Sequence, residues 1–415
     1  MKERLEVFML SIDKSALLKH VESVTAKTAK MSEPFSAGQY WCCFEFVLED
    51  ESLVIARVRL PPHPNSDKTT ISTDKSATYA IECEAATMSF LQSKPISVPA
   101  PKLYALALPG SEQAEAVGAC YMLIEGFYGN TLQDVQSDIC ALPLDTQEHI
   151  ISQWTAIQAE LATFSFPKIG SISHFSEKDG PTIGPLASAI AENFRHPGPF
   201  NSGYEYFTAV GEARYLSARK DASGSDESDN FALIGTSIFR DIVLRTELFK
   251  GTETSFPFTH MDMGTQNILV DDDFNFLAII DWEFAQTAPV QVNHYPMPFP
   301  LLSSDAEIHE ILQNPEHIAH RNVSRQTTAQ KLYRDQFLKA EQALAQQGRK
   351  ITPSIAKGLN GTASRIYGML ERLNGFAAED LAYEMVLLAF GLEGMEAKRY
   401  VLGKIFVMVT EDRDK

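Results

Sequence analysis

The 415-residue sequence has few cysteines, no long apolar run and no excess of basic residues. Its five cysteines are odd in number and lack CxxC spacing, which argues against a disulfide framework or a zinc site and favours reduced thiols. No apolar run approaches the ~18 residues of a membrane-spanning helix. The first residues mix acids into their charged region and have a short apolar core, unlike a signal peptide, so we expect a cytoplasmic protein.

The charge balance narrows the class of partner. Aspartate and glutamate total 54 against 36 lysines and arginines, a formal net charge of −18 at pH 7. Such a surface repels nucleic-acid backbones and anionic lipids, so we expect neither nucleic acid nor a membrane as a partner. It favours cationic small molecules instead. Hydrophobic residues make up 44% of the chain, enough for two folded lobes.

The first third of the chain has a strand-rich pattern. A short helix is predicted over residues 13–30, followed by a β-hairpin over residues 39–62 that turns at Glu49–Ser52. Residues 77–92 form an amphipathic helix by their spacing of apolar residues, and an apolar strand then ends at Gly126. These elements predict a small antiparallel-sheet N-lobe covering residues 1–128.

The remainder of the chain has mainly helical patterns. The clearest helices are predicted at residues 145–163, 328–347 and 378–409, and strand signals become sparse after Leu132. The predicted architecture is therefore α+β, with a larger and mainly helical C-lobe over residues 129–415.

One segment carries polar side chains in a fixed order: FTHMDMGTQNILVDDDFNFLAIIDWEFA, residues 258–285. Two apolar runs flank the acidic turn Asp271–Asn275 and predict a short antiparallel hairpin. Asn267 begins the first arm and Asp281 ends the second, so both return to the same end of the hairpin. Asp262 stands on the loop that enters this end, and three oxygen-bearing side chains therefore converge.

This combination of side chains suits one kind of chemistry. A carboxylate beside an amide oxygen suits Mg²⁺, which takes one or two protein oxygens together with substrate phosphates. A second carboxylate that does not bind the metal can orient a hydroxyl group and accept its proton. Together they predict phosphoryl transfer, in which positioning and charge neutralisation supply most of the catalysis.

These residues also carry a resemblance to a known family. HxDxxxxN, formed by His260, Asp262 and Asn267 and followed by the hairpin and IDWE (Ile280–Glu283), resembles the aminoglycoside phosphotransferase family. ECEAATMSFLQSKPISVPAPKLYAL is similar to the helix C of that family and the strand after it, and YMLIEGFYGNTL resembles its inter-lobe hinge. FPKIGSI and TIGPL are similar to segments of fungal-type members.

The resemblance implies a protein-kinase-like, two-lobed fold and a small-molecule kinase. This enzyme would transfer the γ-phosphate of ATP or GTP, with Mg²⁺, to a hydroxyl group of a small metabolite or antibiotic-like acceptor. Asp262 would be the catalytic base and His260 would brace its loop. Asn267 and Asp281 would bind Mg²⁺, and Glu283 is a further candidate for a second metal or for substrate contact.

The phosphate-binding lobe needs a cation. Ile55, Arg57 and Arg59 alternate onto one face of a strand. By resemblance, Arg57 takes the place of the family's lysine on this strand and would pair with Glu84 on the following helix. Arg59 is then expected to be a solvated strand residue, and Glu82 is the less favoured partner because it points away from the apolar face of the helix.

The remaining nucleotide contacts come from the same resemblance. Gly38 would mark the phosphate-binding loop, and the hinge residues Glu125 and Phe127 would offer backbone groups to adenine. Ile55 and Ile280 would enclose the base.

Two departures from the family pattern leave a second interpretation open. Arginine replaces lysine at position 57, which is not a conservative exchange, and FSAGQYWCC offers one glycine in place of a glycine-rich loop. The alternative is a catalytically weak or inactive nucleotide-binding or interaction module. A protein kinase is disfavoured because no APE-like segment follows Asp281, and a metal-dependent hydrolase because no second histidine has metal-ligand spacing.

Overall fold

The structure is a computed structural model and describes residues 2–32, 36–37, 41–60, 74–189, 194–222, 227–299, 301, 305–373 and 377–411. Antiparallel strands dominate the first third and helices dominate the rest, so the predicted α+β class is confirmed.

The bounds of the elements are as follows. The strands are β1 (Ala29–Met31), β2 (Ser36–Ala37), β3 (Trp41–Leu48), β4 (Leu53–Arg59), β5 (Leu103–Ala107), β6 (Tyr121–Gly126), β7 (Asn130–Thr131), β8 (Ser165–Phe166), β9 (Ile172–Ser176), β10 (Gly180–Ile183), β11 (Phe256–Thr259), β12 (Ile268–Val270), β13 (Phe276–Ile279) and β14 (Gln286–Thr287). The helices are α1 (Lys2–Ser11), α2 (Lys14–Thr25), α3 (Asp74–Gln92), α4 (Glu112–Val117), α5 (Leu132–Val135), α6 (Leu144–Ala162), α7 (Gly203–Ala222), α8 (Glu227–Arg245), α9 (Asp305–Gln313), α10 (His320–Gln346), α11 (Ile355–Gly358), α12 (Thr362–Leu370), α13 (Ala378–Phe390) and α14 (Gly394–Glu411).

A six-stranded sheet forms the framework of the N-terminal region. Its order is β1-β3-β4-β6-β5, with β2 added on β3. The predicted hairpin is present as β3 and β4, whose register runs from Trp41 opposite Arg59 to Val47 opposite Leu53. Side chains alternate across this sheet, so Phe44 is fully buried on one face while Ile55, Arg57 and Arg59 share the other.

The predicted helix over residues 13–30 is present as α2, and a further helix that was not predicted, α1, lies before it. The side chain of Asp13 accepts hydrogen bonds from the N–H groups of Ser15 and Ala16, both at 2.9 Å, and starts α2 as a new helix. Ala26 then ends α2 in the left-handed conformation, with φ 54°, and the chain enters β1. The predicted span of residues 13–30 was therefore too long at its C-terminal end, because no glycine or proline marks the end of α2 in the sequence.

The chain divides into two compact units. The first contains residues 1–135, 172–182 and 266–283, and the second contains the rest of the chain. The β12–β13 hairpin belongs to the first unit, although it follows the second unit's β11 in sequence. The predicted lobe boundary between residues 128 and 129 stays a prediction.

The second unit is mainly helical and has a core rich in aromatic rings. The helices predicted at residues 145–163, 328–347 and 378–409 are present as α6, α10, and the pair α13 and α14. The start of α10 at His320 is earlier than predicted because its first turns are polar. Of the described strands after Leu132, the hairpin of β12 and β13 was predicted, and β8, β9, β10, β11 and β14 were not. No helix in the described ranges is long and apolar enough to cross a membrane.

Candidate active site

The β12–β13 hairpin holds two of the predicted site residues at one end. Ile268 pairs with Ile279, and the N–H of Ile280 donates to the carbonyl oxygen of Asn267 at 2.9 Å. Asn267 and Asp281 therefore flank the same end of the hairpin, as predicted from the spacing of the two apolar runs. The N–H of Ile279 donates to the carbonyl oxygen of Pro99 at 2.8 Å, which anchors the hairpin to the chain segment before β5.

Asp281 adopts a backbone conformation that is unusual for a residue with a side chain. Its φ is 66°, in the left-handed region, which few residues with a side chain occupy, although aspartate tolerates it better than most. The next residue, Trp282, is buried and its indole N–H donates to the carbonyl oxygen of Ile279 at 2.8 Å, which fixes this turn. Strained residues held by their surroundings in this way are typical of functional sites.

Arg57 joins the sheet, α3 and the hairpin through two carboxylates. Its Nη1 donates to Oε1 of Glu84, and its Nη2 donates to Oδ1 of Asp281 at 3.1 Å. The side chain of Arg57 is 11% exposed and that of Glu84 is fully buried. The predicted pairing of Arg57 with Glu84 is therefore present. Glu82 does not share this position, because it lines an open groove between α3, β5 and β9.

Arg59 differs from its prediction as a solvated residue. Its side chain is only 17% exposed, and its Nη1 lies 4.0 Å from Oε2 of Glu283, which is 11% exposed. The alternation of β4 places Arg59 on the same face as Arg57, and the segment after Asp281 packs against this face. Sequence alternation revealed the shared face but not the partner that covers it.

Trp41 is a member of this cluster that the sequence did not reveal. It lies opposite Arg59 in the β3–β4 register, and its ring lies 4.7 Å from the Cζ of Arg57 and 5.0 Å from the Cζ of Arg59. These are cation–π distances. Counting equal steps from the predicted turn at Glu49–Ser52 would have paired Trp41 with Leu60, one residue away from the observed register, so the sequence alone did not place Trp41 beside Arg59.

The charges of this cluster influence one another. Burial opposes the ionised form of Arg57, but the carboxylates of Glu84 and Asp281 outweigh it and raise the pKa of the guanidinium. Burial, supported by the charge of Asp281, raises the pKa of Glu84 despite the proximity of Arg57. Burial together with the charges of Asp281 and Glu84 also raises the pKa of Glu283, to about 7. The cluster has more carboxylates than cations, so an added cation would stabilise it.

The donor set fits a divalent metal. Glu84, Asp281 and Glu283 each offer one carboxylate oxygen, and these atoms lie within 4.8 Å of one another. Oε2 of Glu84 is buried and makes no hydrogen bond within the described parts of the chain. Asn267, at the same hairpin end as Asp281, adds an amide group. Carboxylate and amide oxygens are the ligands that Mg²⁺ and Ca²⁺ prefer.

The His260–Asp262 segment follows β11 in the second unit. His260 is buried, at 1% exposure, and Met261 has a left-handed φ of 63°. The N–H of Asp262 donates to the carbonyl oxygen of His260 at 2.8 Å, and the N–H of Gly264 donates to that of Asp262 at 2.9 Å. These consecutive tight turns, with a strained methionine between the two predicted residues, hold Asp262 on a bent and constrained loop.

Of the predicted adenine contacts, Ile55 lies on β4 and Glu125 on β6, while Phe127 directly follows β6 and Ile280 directly follows β13. Ile55 pairs with Ile124, and a Cβ at Gly126 would come within 3.0 Å of the Ile55 side chain. The N–H of Glu125 already donates to the carbonyl oxygen of Lys102 at 2.8 Å, so this predicted hinge donor is used within the sheet. Gly38 lies outside the described residues.

Comparison with known proteins places the chain in a family. The α+β fold is of the kinase-like class that the resemblance implied. The family model of the phosphotransferase enzyme family (APH) matches residues 70–292, more than half of the chain, and the chain belongs to that family. No curated protein sequence is significantly similar to it.

Three solved structures illustrate the overall similarity. The first is a putative fructosamine-3-kinase from Thermobifida fusca, with a TM-score of 0.44 and 11% identity over 92% of this chain and 98% of that one. The second is a type I macrolide 2′-phosphotransferase, with a TM-score of 0.42 and 10% identity over 89% of this chain and 97% of that one. The third is amicoumacin kinase in complex with AMP-PNP, Ca²⁺ and Ami, with a TM-score of 0.41 and 13% identity over 96% of this chain and 94% of that one. All three are distant from this chain in sequence.

Proposed function

We propose that this protein is a Mg²⁺-dependent kinase that transfers the γ-phosphate of ATP or GTP to a hydroxyl group of a small molecule. The observation that carries this proposal is the position of Arg57, a buried cation bound both to Glu84 and to Asp281. A cation for phosphates held directly beside a carboxylate for a metal is the charge arrangement that phosphoryl transfer requires.

The residues of the first unit would bind and orient the nucleotide. Asn267 and Asp281 would hold Mg²⁺, which supplies charge neutralisation for the phosphates. Arg57 binds phosphate oxygens through its planar fork of donors, and Glu84 keeps it oriented. Ile55 and Ile280 supply apolar contacts to the base.

The hinge contact to adenine would come from Phe127 and not from Glu125. Along a strand, successive N–H groups point to alternate sides. The N–H of Glu125 faces β5, where Lys102 accepts it, and Gly126 pairs with Leu53 on the β4 side. Phe127 follows the end of β6, and its N–H is therefore the candidate donor.

Asp262 would accept the proton of the acceptor hydroxyl group as the catalytic base. Its carboxylate orients the acceptor hydroxyl and takes up the proton as the oxygen attacks the γ-phosphorus. His260, buried one residue before the strained Met261, would brace the loop without touching the acceptor. The net charge of −18 favours a cationic hydroxyl compound as acceptor.

The first experiment measures binding independently of the acceptor. Thermal unfolding is recorded with ATP or GTP at about 100 times the dissociation constant, in Mg²⁺ and in EDTA. Such a ligand adds about 2.7 kcal/mol of stability, which shifts the midpoint of a chain this long by about 3 °C. We expect a Mg²⁺-dependent shift that Asp281→Asn abolishes, and asparagine is chosen because it tolerates the left-handed backbone.

A matched variant and a turnover assay complete the test. Asp273→Asn makes the same chemical change at an exposed position in the hairpin turn and should keep the full shift. Transfer of labelled γ-phosphate to a panel of cationic and neutral alcohols should require Asp262. Equal transfer by wild type and Asp262→Asn would refute the role given to that residue.

A nucleotide-binding module without turnover is the second candidate function. It is favoured by the hydrogen bond from Arg57 to Asp281, because the guanidinium occupies an oxygen that a metal would need. A Mg²⁺-dependent thermal shift without phosphate transfer to any alcohol would support it.

A further inference from the structure

Trp41 has a buried donor that the protein itself does not use. Its side chain is 7% exposed, and its indole N–H makes no hydrogen bond to any residue in the described ranges. Leaving a buried donor unpaired costs about 1–3 kcal/mol. A donor kept in this state within a site marks a position where a ligand can accept its hydrogen bond.

The surroundings of this donor indicate the chemical class of the ligand. The Trp41 ring lies beside the guanidinium groups of Arg57 and Arg59, so one neutral donor and two cations occupy the same face of the β3–β4 hairpin. Arginine and neutral N–H donors together recognise phosphate oxygens. The carboxylates of Glu84, Asp281 and Glu283 partly offset these cations, which is consistent with an anion that enters together with a metal.

The position of Trp41 in the sequence gives a reason for this arrangement. Trp41 lies three residues after Gly38, in a segment with one glycine. A loop with several glycines lets backbone N–H groups approach phosphates closely, and this sequence lacks that feature. Side-chain donors on the adjoining strands can supply the missing contacts.

We propose that Trp41 and Arg59 contact the phosphate tail of the nucleotide, as a second phosphate-binding element beside Arg57. The indole N–H donates to a phosphate oxygen, and Arg59 contributes positive charge from the neighbouring strand. This inference rests on the proposed function, because it assumes that Arg57 and Asp281 hold a phosphate-bearing ligand.

The test compares ligands with and without phosphates. Calorimetric dissociation constants are measured with Mg²⁺ for ATP, for inorganic triphosphate and, by competition, for adenosine. Trp41→Phe keeps an aromatic ring beside both arginines and removes the indole N–H together with part of the ring system, a change that Trp154→Phe repeats elsewhere. We expect this variant to raise the dissociation constants of ATP and triphosphate about tenfold, since one hydrogen bond to a charged group is lost. The dissociation constant of adenosine should stay within twofold of the wild-type value.

A second variant and a matched control accompany it. Arg59→Gln removes the positive charge and should raise the dissociation constants of ATP and triphosphate about tenfold. Trp154→Phe makes the same exchange at a buried tryptophan of the second unit, which also has an unpaired N–H within the described residues and packs on Phe299 and Tyr333. It should leave all three constants unchanged.

The outcomes separate this inference from the proposed function. The first outcome is that wild type binds MgATP and that both Trp41→Phe and Arg59→Gln have dissociation constants within twofold of the wild-type value. The inference is then overturned and the kinase proposal stands. A loss for adenosine as large as that for ATP also overturns it, because the residues would then act through the fold. Trp41-dependent binding of inorganic triphosphate without any binding of ATP or GTP would refute both, because the proposed contact is to the phosphate tail of a nucleotide. Binding of none of these ligands by wild type refutes both.

Discussion

The two compact units use their polar and aromatic residues differently. In the first unit, the side chains of Arg57, Arg59, Glu84 and Glu283 are all less than one-fifth exposed and form a single cluster. In the second unit, several ion pairs are more exposed, such as Arg214–Glu371, at 34% and 26% for the two side chains. The interior of the second unit is instead filled by aromatic rings that contact one another, namely Tyr206, Phe207, Phe239, Phe249 and Tyr367.

We attribute the buried ionic cluster of the first unit to ligand binding and the packed rings of the second unit to stability of the fold. Removing charges from water costs free energy that their mutual attraction often fails to recover. A buried ionic cluster is therefore expected where a ligand requires it, whereas packed rings stabilise the fold directly. If this interpretation is correct, substitutions in the two units will change stability and ligand binding in different proportions.

The largest loss of stability is expected from Phe207→Ala in the second unit. The ring is fully buried and lies 4.5 Å from the ring of Phe249 and 5.7 Å from that of Tyr367, between centroids. Its truncation should cost about 3–5 kcal/mol in urea unfolding. Phe207→Leu, which retains most of the volume, should cost clearly less; equal costs would show that ring packing is not the source of stability.

The second-largest loss of stability is expected from substitution of Glu84, which forms the buried ion pair with Arg57 in the first unit. Glu84→Gln leaves Arg57 with Asp281 alone and should lower the free energy of unfolding by about 3 kcal/mol. The double variant Arg57→Met/Glu84→Met removes both charges and should cost about 1 kcal/mol or less, while nucleotide binding is lost in both proteins. A double variant as unstable as Glu84→Gln would mean that the pair stabilises the fold, contrary to the distinction between the two units.

An ion pair of the second unit should give a smaller effect that depends on pH. Asp241 accepts hydrogen bonds from Lys404 and from the hydroxyl of Tyr400, and although burial opposes the ionised form, these bonds hold the pKa of Asp241 below its usual value. A lowered pKa contributes stability above the unfolded value near 4, and this contribution is lost as the pH falls. Asp241→Asn should therefore cost about 1 kcal/mol at pH 7.

The check is urea unfolding of both proteins from pH 7 to pH 3. The difference between wild type and Asp241→Asn should shrink as the pH falls below about 4, because the unfolded wild-type chain then binds a proton at Asp241 more readily than the folded chain does. A difference that is independent of pH would assign the loss to packing.

The smallest effects are expected at two helix ends, one in each unit. Ala26 ends α2 with φ 54°, and Gly391 ends α13 with φ 66° and with open space where a Cβ would lie. Ala26→Gly should stabilise and Gly391→Ala should destabilise by about 0.5–1 kcal/mol each, since only glycine adopts this conformation without strain. Thermal unfolding of the two variants should show shifts of opposite sign, and shifts of the same sign would contradict this explanation.

Local patterns were sufficient for much of the fold. The β3–β4 hairpin, the buried face of α3 and the hairpin that carries Asn267 and Asp281 follow from alternation and helical spacing within short windows. Such patterns survive because each side chain has only two or three directions available in a regular element. Helix α1, the end of α2 and the short strands β8, β9, β10, β11 and β14 were missed, because caps and short pairings leave little trace in apolar periodicity.

The sequence by itself determined which polar residues lie at each end of a hairpin and which share a strand face, because these relations depend on backbone geometry over a few residues. The pairing of Arg57 with Glu84, 27 positions away, was expected from the family resemblance and not from local geometry, and only the tertiary structure decided that Arg57 also meets Asp281, 224 positions away. It also decided that Arg59 is covered by Glu283. Contacts at such separations depend on how helix α3 and the β12–β13 hairpin pack against the sheet, and that packing is a property of the folded unit as a whole.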